Sequence, residues 1–178
     1  MIADPTIFRQ VLGQYPTGVV LITALTTAGA PVAMTVGSFT SVSLDPPLVA
    51  FLPSRTSASW KELRASGESF CVNVLAAEQE AVCRAVATRK SDKLGDIPWR
   101  TSDAGNPVVI GAIAHIDCTV EAIYEAGDHD IVIGLVHGLA SQSDADPLLF
   151  FRGGYGSFAP ISPAMAAGEV STKDLVQQ

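Results

Sequence analysis

Apolar and polar positions change places with a period close to two along much of this chain, and turn residues punctuate the runs. Asp4-Pro5 predicts a capped helix through about Leu12, closed by Gly13. Tyr15-Pro16-Thr17-Gly18 reads as a turn, and the β-branched stretch Val19 to Thr27 as a strand that reverses at Gly29 into a second strand starting near Pro31. From Met34 to Ser43 the alternation is regular. Thr35, Gly37, Phe39, Ser41 and Ser43 then share one face, and Met34, Val36, Ser38, Thr40 and Val42 the other. This predicts one long strand, stopped by Asp45-Pro46-Pro47 because proline cannot donate to a ladder. Its first face is polar but uncharged, with a gap at Gly37. Such a face suits a planar aromatic ligand, and equally a half-buried strand whose hydroxyls meet water.

Leu48 to Leu52 has strand length, and Pro53-Ser54 ends it ahead of the cap residues Thr56, Ser57 and Ser59. Ser59 and Glu62 stand at capping-box spacing, Trp60 and Leu63 give the new helix an inward face, and Gly67 closes it. Its N-terminus beside Arg55 is either an anion site or an ordinary capped helix end. Ser69 to Leu75 predicts a strand and Ala76 to Ala87 an amphipathic helix. Arg84, Arg89, Lys90 and Lys93 follow as the densest basic patch, and Asp96 to Pro107 reads as a loop anchored by Trp99. Val108 to Ala126 and Ile131 to Leu139 predict two strands joined by a hairpin that carries His129 between Asp128 and Asp130. Pro147 to Phe151 is a last strand before Arg152-Gly153-Gly154-Tyr155-Gly156. Short strands, few helices and no βαβ alternation predict an antiparallel barrel or sandwich, one domain over residues 1–160. The composition shifts after Pro160, so 161–178 is expected to be a tail, disordered or packed on a partner subunit.

Charge narrows the partners. Only 16% of the 178 residues are charged and the formal net charge is -7, which excludes a general nucleic-acid surface. No charged side chain occurs from Gln10 through Leu44, a run that calls for deep burial, an obligate partner surface, or both. No leader pattern and no apolar run of ~18 residues is present, so neither export nor a membrane is expected. Cys71, Cys83 and Cys118 lack CxxC spacing and read as reduced core residues of a cytoplasmic protein.

The chemistry-bearing residues exclude several classes. His115 and Cys118 fall on opposite faces of a strand, and His129 and His137 would lie roughly 26 Å apart if extended, so no metal site is expected. There is no GxSxG turn, no Walker loop and no GxGxxG between a strand and a helix. A nicotinamide nucleotide, if bound, is held without a Rossmann fold. His129, flanked by two carboxylates, is able to titrate near neutrality and to hydrogen-bond a ligand; alternatively it serves the turn geometry.

Taken together, Pro16-Thr17-Gly18-Val19, the run Thr35 to Ser43, Pro46-Pro47-Leu48-Val49, Ser57-Ala58-Ser59-Trp60, Phe70 to Leu75, Asp92-Lys93-Leu94, Gly127-Asp128-His129-Asp130-Ile131, Gly134-Leu135-Val136 and Pro147 to Phe150 carry a resemblance. In that order they resemble the short-chain flavin reductase family, the reductase partners of two-component flavin-dependent monooxygenases. The match covers roughly Phe8 to Phe158. The resemblance implies a mainly β fold with a few helices, an antiparallel Greek-key split β-barrel of the FMN-binding type, acting as a homodimer. It implies FMN or FAD along Met34, Thr35, Val36, Gly37, Ser38 and Ser41, with phosphate near Ser54, Arg55, Thr56, Ser57 and Trp60 and the basic residues Arg89 and Lys93. It implies NADH or NADPH near His129, the catalytic candidate, and near Arg152 and Tyr155, and a separate monooxygenase as partner. Leu94 departs from the family pattern, where an aromatic residue usually follows the lysine. Two other readings share the fold: a non-enzymatic flavin carrier, and an oxidase acting on a substrate such as a pyridoxal derivative.

Overall fold

A computed structural model describes residues 4–161. In chain order the elements are α1 (Pro5–Leu12), β1 (Thr17–Gly18), β2 (Val20–Leu25), β3 (Pro31–Val36), β4 (Thr40–Leu44), β5 (Pro47–Phe51), α2 (Ala58–Ala65) and β6 (Ser69–Val74). A 3-10 turn (Ala77–Gln79), α3 (Glu80–Thr88), β7 (Trp99–Thr101), β8 (Pro107–Val109), β9 (Ala114–Ala126), β10 (His129–Ser141), β11 (Leu149–Phe151) and β12 (Gly154–Gly156) complete it. The expected tail lies outside the described residues, apart from Ile161.

Seven strands form one sheet in the order β3-β2-β6-β9-β10-β5-β4. Every recorded pairing is antiparallel. The two edge strands, β3 and β4, are consecutive in sequence and separated only by Gly37, Ser38 and Phe39. Four Cα steps span at most about 14 Å, so the sheet has to curl until its edges face each other. They do not pair with each other: β3 pairs only with β2 and β4 only with β5. The result is a barrel split along one seam.

This corrects the expected single strand from Met34 to Ser43. The chain leaves one edge at Val36 and joins the opposite edge at Thr40, and the alternation does not carry across Gly37. Serine, threonine and valine suit a strand on either edge, so the sequence pattern is blind to a change of partner. Two further expectations shift in the same way. The stretch 96–107 is not all loop, because β7 pairs with β8 as a small hairpin. The strand from Val108 is broken between β8 and β9, where Gly111 takes φ +88. Of the three cap residues offered before the second helix, Ser57 is the one that caps it: Ser57 Oγ accepts the Trp60 N–H at 3.3 Å.

Two cores follow from the alternation on β2. Val20 and Ile22 point into the barrel with Val32, Met34, Phe51, Phe70 and Val72, and α2 closes that core with Trp60 and Leu63. Phe51 meets Trp60 and Phe70 edge to face, with centroids 5.8 and 5.5 Å apart. Val19 and Leu21 point outward under α3, against Cys83, Val86, Leu94, Ile97 and Leu148. Leu94 is thus a core residue. All three cysteines are buried and unpaired, and burial pushes the Cys118 thiol up to about 12. The apolar face of α1 has no cover: Ile7, Phe8, Val11 and Leu12 are all more than half exposed, as are Val42 and Leu44 on β4.

Candidate functional site

The seam at Gly37–Phe39 is where the candidate residues begin to meet. An open cleft of about 540 Å³ runs along it, lined by Leu12, Tyr15, Pro16, Thr17, Gly18 and residues 37–40, with no charged side chain. Gly37 keeps this wall close, since a Cβ there would stand 3.0 Å from Thr17 Oγ1 and would have to push that side chain aside. On the far side of the linker, Ser38 Oγ binds both backbone groups of Leu52, accepting its N–H and donating to its carbonyl. The linker is thereby fastened to the chain that leads into residues 53–57.

That next segment supplies donors. Thr56 Oγ1 and Ser54 Oγ lie 3.0 Å apart, Ser57 N–H donates to Ser54 O, and Ser57 caps α2. The first-turn N–H groups of Ala58 and Ser59 have no intrahelical acceptor, because a helix leaves its leading donors unmatched. Hydroxyls and helix-end N–H groups with Arg55 alongside are a set that accommodates phosphate.

Pairing then brings in His129, which is more than seventy positions away. Asp130 N–H donates to Pro53 O and Arg55 N–H to Asp128 O, each at 3.0 Å, and Ser54 and His129 form an isolated β-bridge. The two-residue turn Gly127-Asp128, with Gly127 at φ +64, sets His129 as the first residue of β10. Its Nδ1–H donates to Asp128 Oδ1 at 2.7 Å, which leaves Nε2 for a ligand. The same hydrogen bond, and then the histidine's charge, hold the Asp128 carboxyl below the ordinary carboxylate range.

The remaining candidates divide. Thr35 Oγ1 donates to Cys83 O at 3.4 Å and shares a cavity of about 190 Å³ with Gly37, Cys83 and Tyr155. Tyr155 is fixed by a 3.2 Å contact of its hydroxyl with Cys83 Sγ, by the Arg84 guanidinium 4.6 Å from its ring centre, and by Phe150. It therefore flanks the other end of the seam. Met34 and Val36 send their side chains into the barrel core, and Trp60 is buried there too. Ser41 is exposed on β4. Arg89 binds Asp96, while Lys93 Nζ is buried against the carbonyls of Val86 and Arg89 at the end of α3. Neither has a recorded contact with residues 54–57. Arg152 reaches back to Gln14 and stacks on Phe151, with its centre 4.8 Å from that ring.

Sequence reasoning missed the lower wall of the cleft at Leu12 and Tyr15, the Cys83 contact of Tyr155, and the partners of Asp130. Only the Pro16-Thr17-Gly18 turn gave a local signal for the first. Trp60 and Asp130 are 70 positions apart and bond through their side chains, which no periodicity records.

An uncharged seam, a capped helix start and a histidine hairpin thus meet on one side of a split antiparallel barrel. The chain belongs to the flavin reductase like domain family, whose pattern matches residues 12–159. It is 53% identical to a flavin reductase of Pseudomonas putida over 89% of this chain and 92% of that one. It is 45% identical to the reductase subunit of a flavin-dependent monooxygenase of Rhodococcus jostii, over 88% and 80% of the two chains. Among solved structures, it resembles a Streptomyces globisporus NADH:FAD oxidoreductase in complex with NAD and FAD fragments. The TM-score is 0.82 at 35% identity, over 91% of this chain and 99% of the other.

Proposed function

We propose that this chain is an NAD(P)H:flavin oxidoreductase that reduces FMN or FAD with NADH or NADPH and supplies reduced flavin to a separate flavin-dependent monooxygenase. The observation that carries this is the pairing of the Pro53–Arg55 segment with Asp128–Asp130, which sets a phosphate-suited helix start against a histidine with one free nitrogen. The relatives' names point the same way.

The donor set fits a flavin. Uncharged backbone and hydroxyl groups at Gly37, Ser38 and Thr40 suit a planar polar ring, and the cleft volume lies within the ordinary range for ligand sites. Ser54, Thr56, Ser57 and the first turn of α2 would hold its phosphate. When bound, the flavin and the nicotinamide supply the hydride chemistry themselves. The chain's part is to orient and to exclude. Gly37 lets a ligand approach the backbone, the N–H groups of the seam and helix end favour negative charge, and His129 Nε2 orients the nicotinamide nucleotide. Asp128 keeps that imidazole in one tautomer by accepting from Nδ1.

A homodimer belongs to this proposal. The exposed apolar residues of α1 and β4 sit in or next to the uncharged run, and a partner subunit would cover them. Three unpaired thiols suit a reducing cytoplasm. The test is NADH and NADPH oxidation followed by absorbance, with and without added FMN or FAD. Flavin-stimulated oxidation is expected, and its absence with both nicotinamides would refute the assignment. Sedimentation velocity tests the dimer, and a monomer at assay concentration refutes that part.

A further inference from the structure

We propose that Asp130 is a positioning residue that locks the flavin-phosphate turn and His129 in one register, an inference that rests on the flavin reductase reading. Asp130 is 3% exposed. Its Oδ2 accepts the Trp60 Nε1–H at 2.8 Å, and its Oδ1 lies 3.6 Å from Arg55 Nε. Burying a carboxyl group without partners is strongly unfavourable, so these two contacts are what allow it to sit there. Three elements meet on this one side chain: β10 immediately after His129, the first turn of α2 through Trp60, and the 53–57 segment through Arg55.

Backbone bonds between 53–55 and 128–130 set how far the segments lie from each other. They do not direct the Arg55 guanidinium toward α2, and Asp130 joins the two, adding a polar tie to Trp60 beside that helix's core packing. Glu125 on β9 holds the outer face of the same guanidinium at 2.9 Å, but it is exposed and screened, whereas Asp130 is not. Replacing a whole buried ion pair by apolar groups is often neutral, so the pair by itself is weak evidence for a stability role. What the carboxylate adds is a fixed angle between two ligand-binding ends.

The test compares Asp130→Asn, Trp60→Phe and the double variant in the full chain. Asparagine keeps an acceptor for Trp60 but turns an amide donor toward Arg55. Each single variant is expected to raise the NADH KM about tenfold and to weaken FMN binding about threefold or more. The double variant is expected to be little worse than either single, because both cut the same link. Effects within twofold of wild type, effects that multiply in the double variant, or losses that vanish once scaled to the folded fraction would each overturn the proposal. If Asp130→Asn does not fold, Trp60→Phe cuts the same link from the core side, and its nicotinamide KM and its amide exchange are read the same way. Wild-type protein that binds FMN but oxidises no nicotinamide would refute the reductase assignment without touching this one. Amide exchange then decides it: Asp130→Asn must speed exchange at both 53–57 and 128–130, and faster exchange in one segment or neither refutes the lock.

Discussion

Ser38 Oγ accepts the Leu52 N–H at 3.0 Å and donates to the Leu52 carbonyl at 3.2 Å. One hydroxyl therefore joins the linker between the barrel's two open edges to the strand end that leads into the phosphate-suited turn. Ser38→Ala removes both bonds at a partly solvated place, so it is expected to cost only about 1 kcal/mol in urea unfolding. The larger effect should fall on ligand binding, with FMN affinity down about fivefold as the linker loosens. Unchanged FMN affinity by fluorescence titration would remove Ser38 from the site.

Ser57 caps α2 and stands where a phosphate would meet the helix end. Ser57→Ala is expected to lower stability by about 1 kcal/mol. It should weaken FMN more than riboflavin, since riboflavin has no phosphate to lose. Equal losses for the two flavins would show that the helix end binds no anion.

His129 offers Nε2 while Asp128 holds Nδ1. His129→Ala is expected to lower kcat/KM for NADH at least about tenfold while FMN affinity changes by less than about threefold. Steady-state kinetics with unchanged nicotinamide parameters would cancel the role assigned to His129.

The Tyr155 phenol is pushed up to about 12, first by its hydrogen bond with Cys83 and then by burial. A phenol raised in the folded state favours folding while both states are protonated. Its contribution is therefore complete below about 10.0 and is lost as pH rises toward about 12. Cys83→Ala should bring the phenol back toward its ordinary value, read as earlier phenolate absorbance in an alkaline titration. An unmoved titration curve would mean that the thiol does not hold it.

Most strands and the starts of α1 and α2 were legible along the chain, because they depend on neighbours within a few residues, whereas the β7–β8 hairpin and the breaks at Gly37 and Gly111 were not. The proline stop after Leu44, the Trp60 and Leu63 pair on α2 and the His129 hairpin all stand where periodicity and turn chemistry put them. Register and edge identity were not legible. A run such as Met34 to Ser43 satisfies the same alternation whether it stays on one partner or crosses from β2 to β5. Lys93 shows the same limit for charge. The family resemblance implied a flavin-phosphate contact for it, and the fold buries its ammonium against the carbonyls of Val86 and Arg89.

By itself, then, the sequence determined a β-rich domain with an uncharged run from Gln10 through Leu44, a capped helix after Pro53 and a histidine between two acids, since each of these is a matter of local spacing. Only the tertiary structure decided that the uncharged stretch would break at Gly37 into the seam of a barrel. Only it decided that residues 53–55 would pair with 128–130 and that Asp130 would reach Trp60 across 70 positions. Those contacts arise from closing a curled sheet whose two edge strands are joined by three residues, a global constraint that no short window of residues contains.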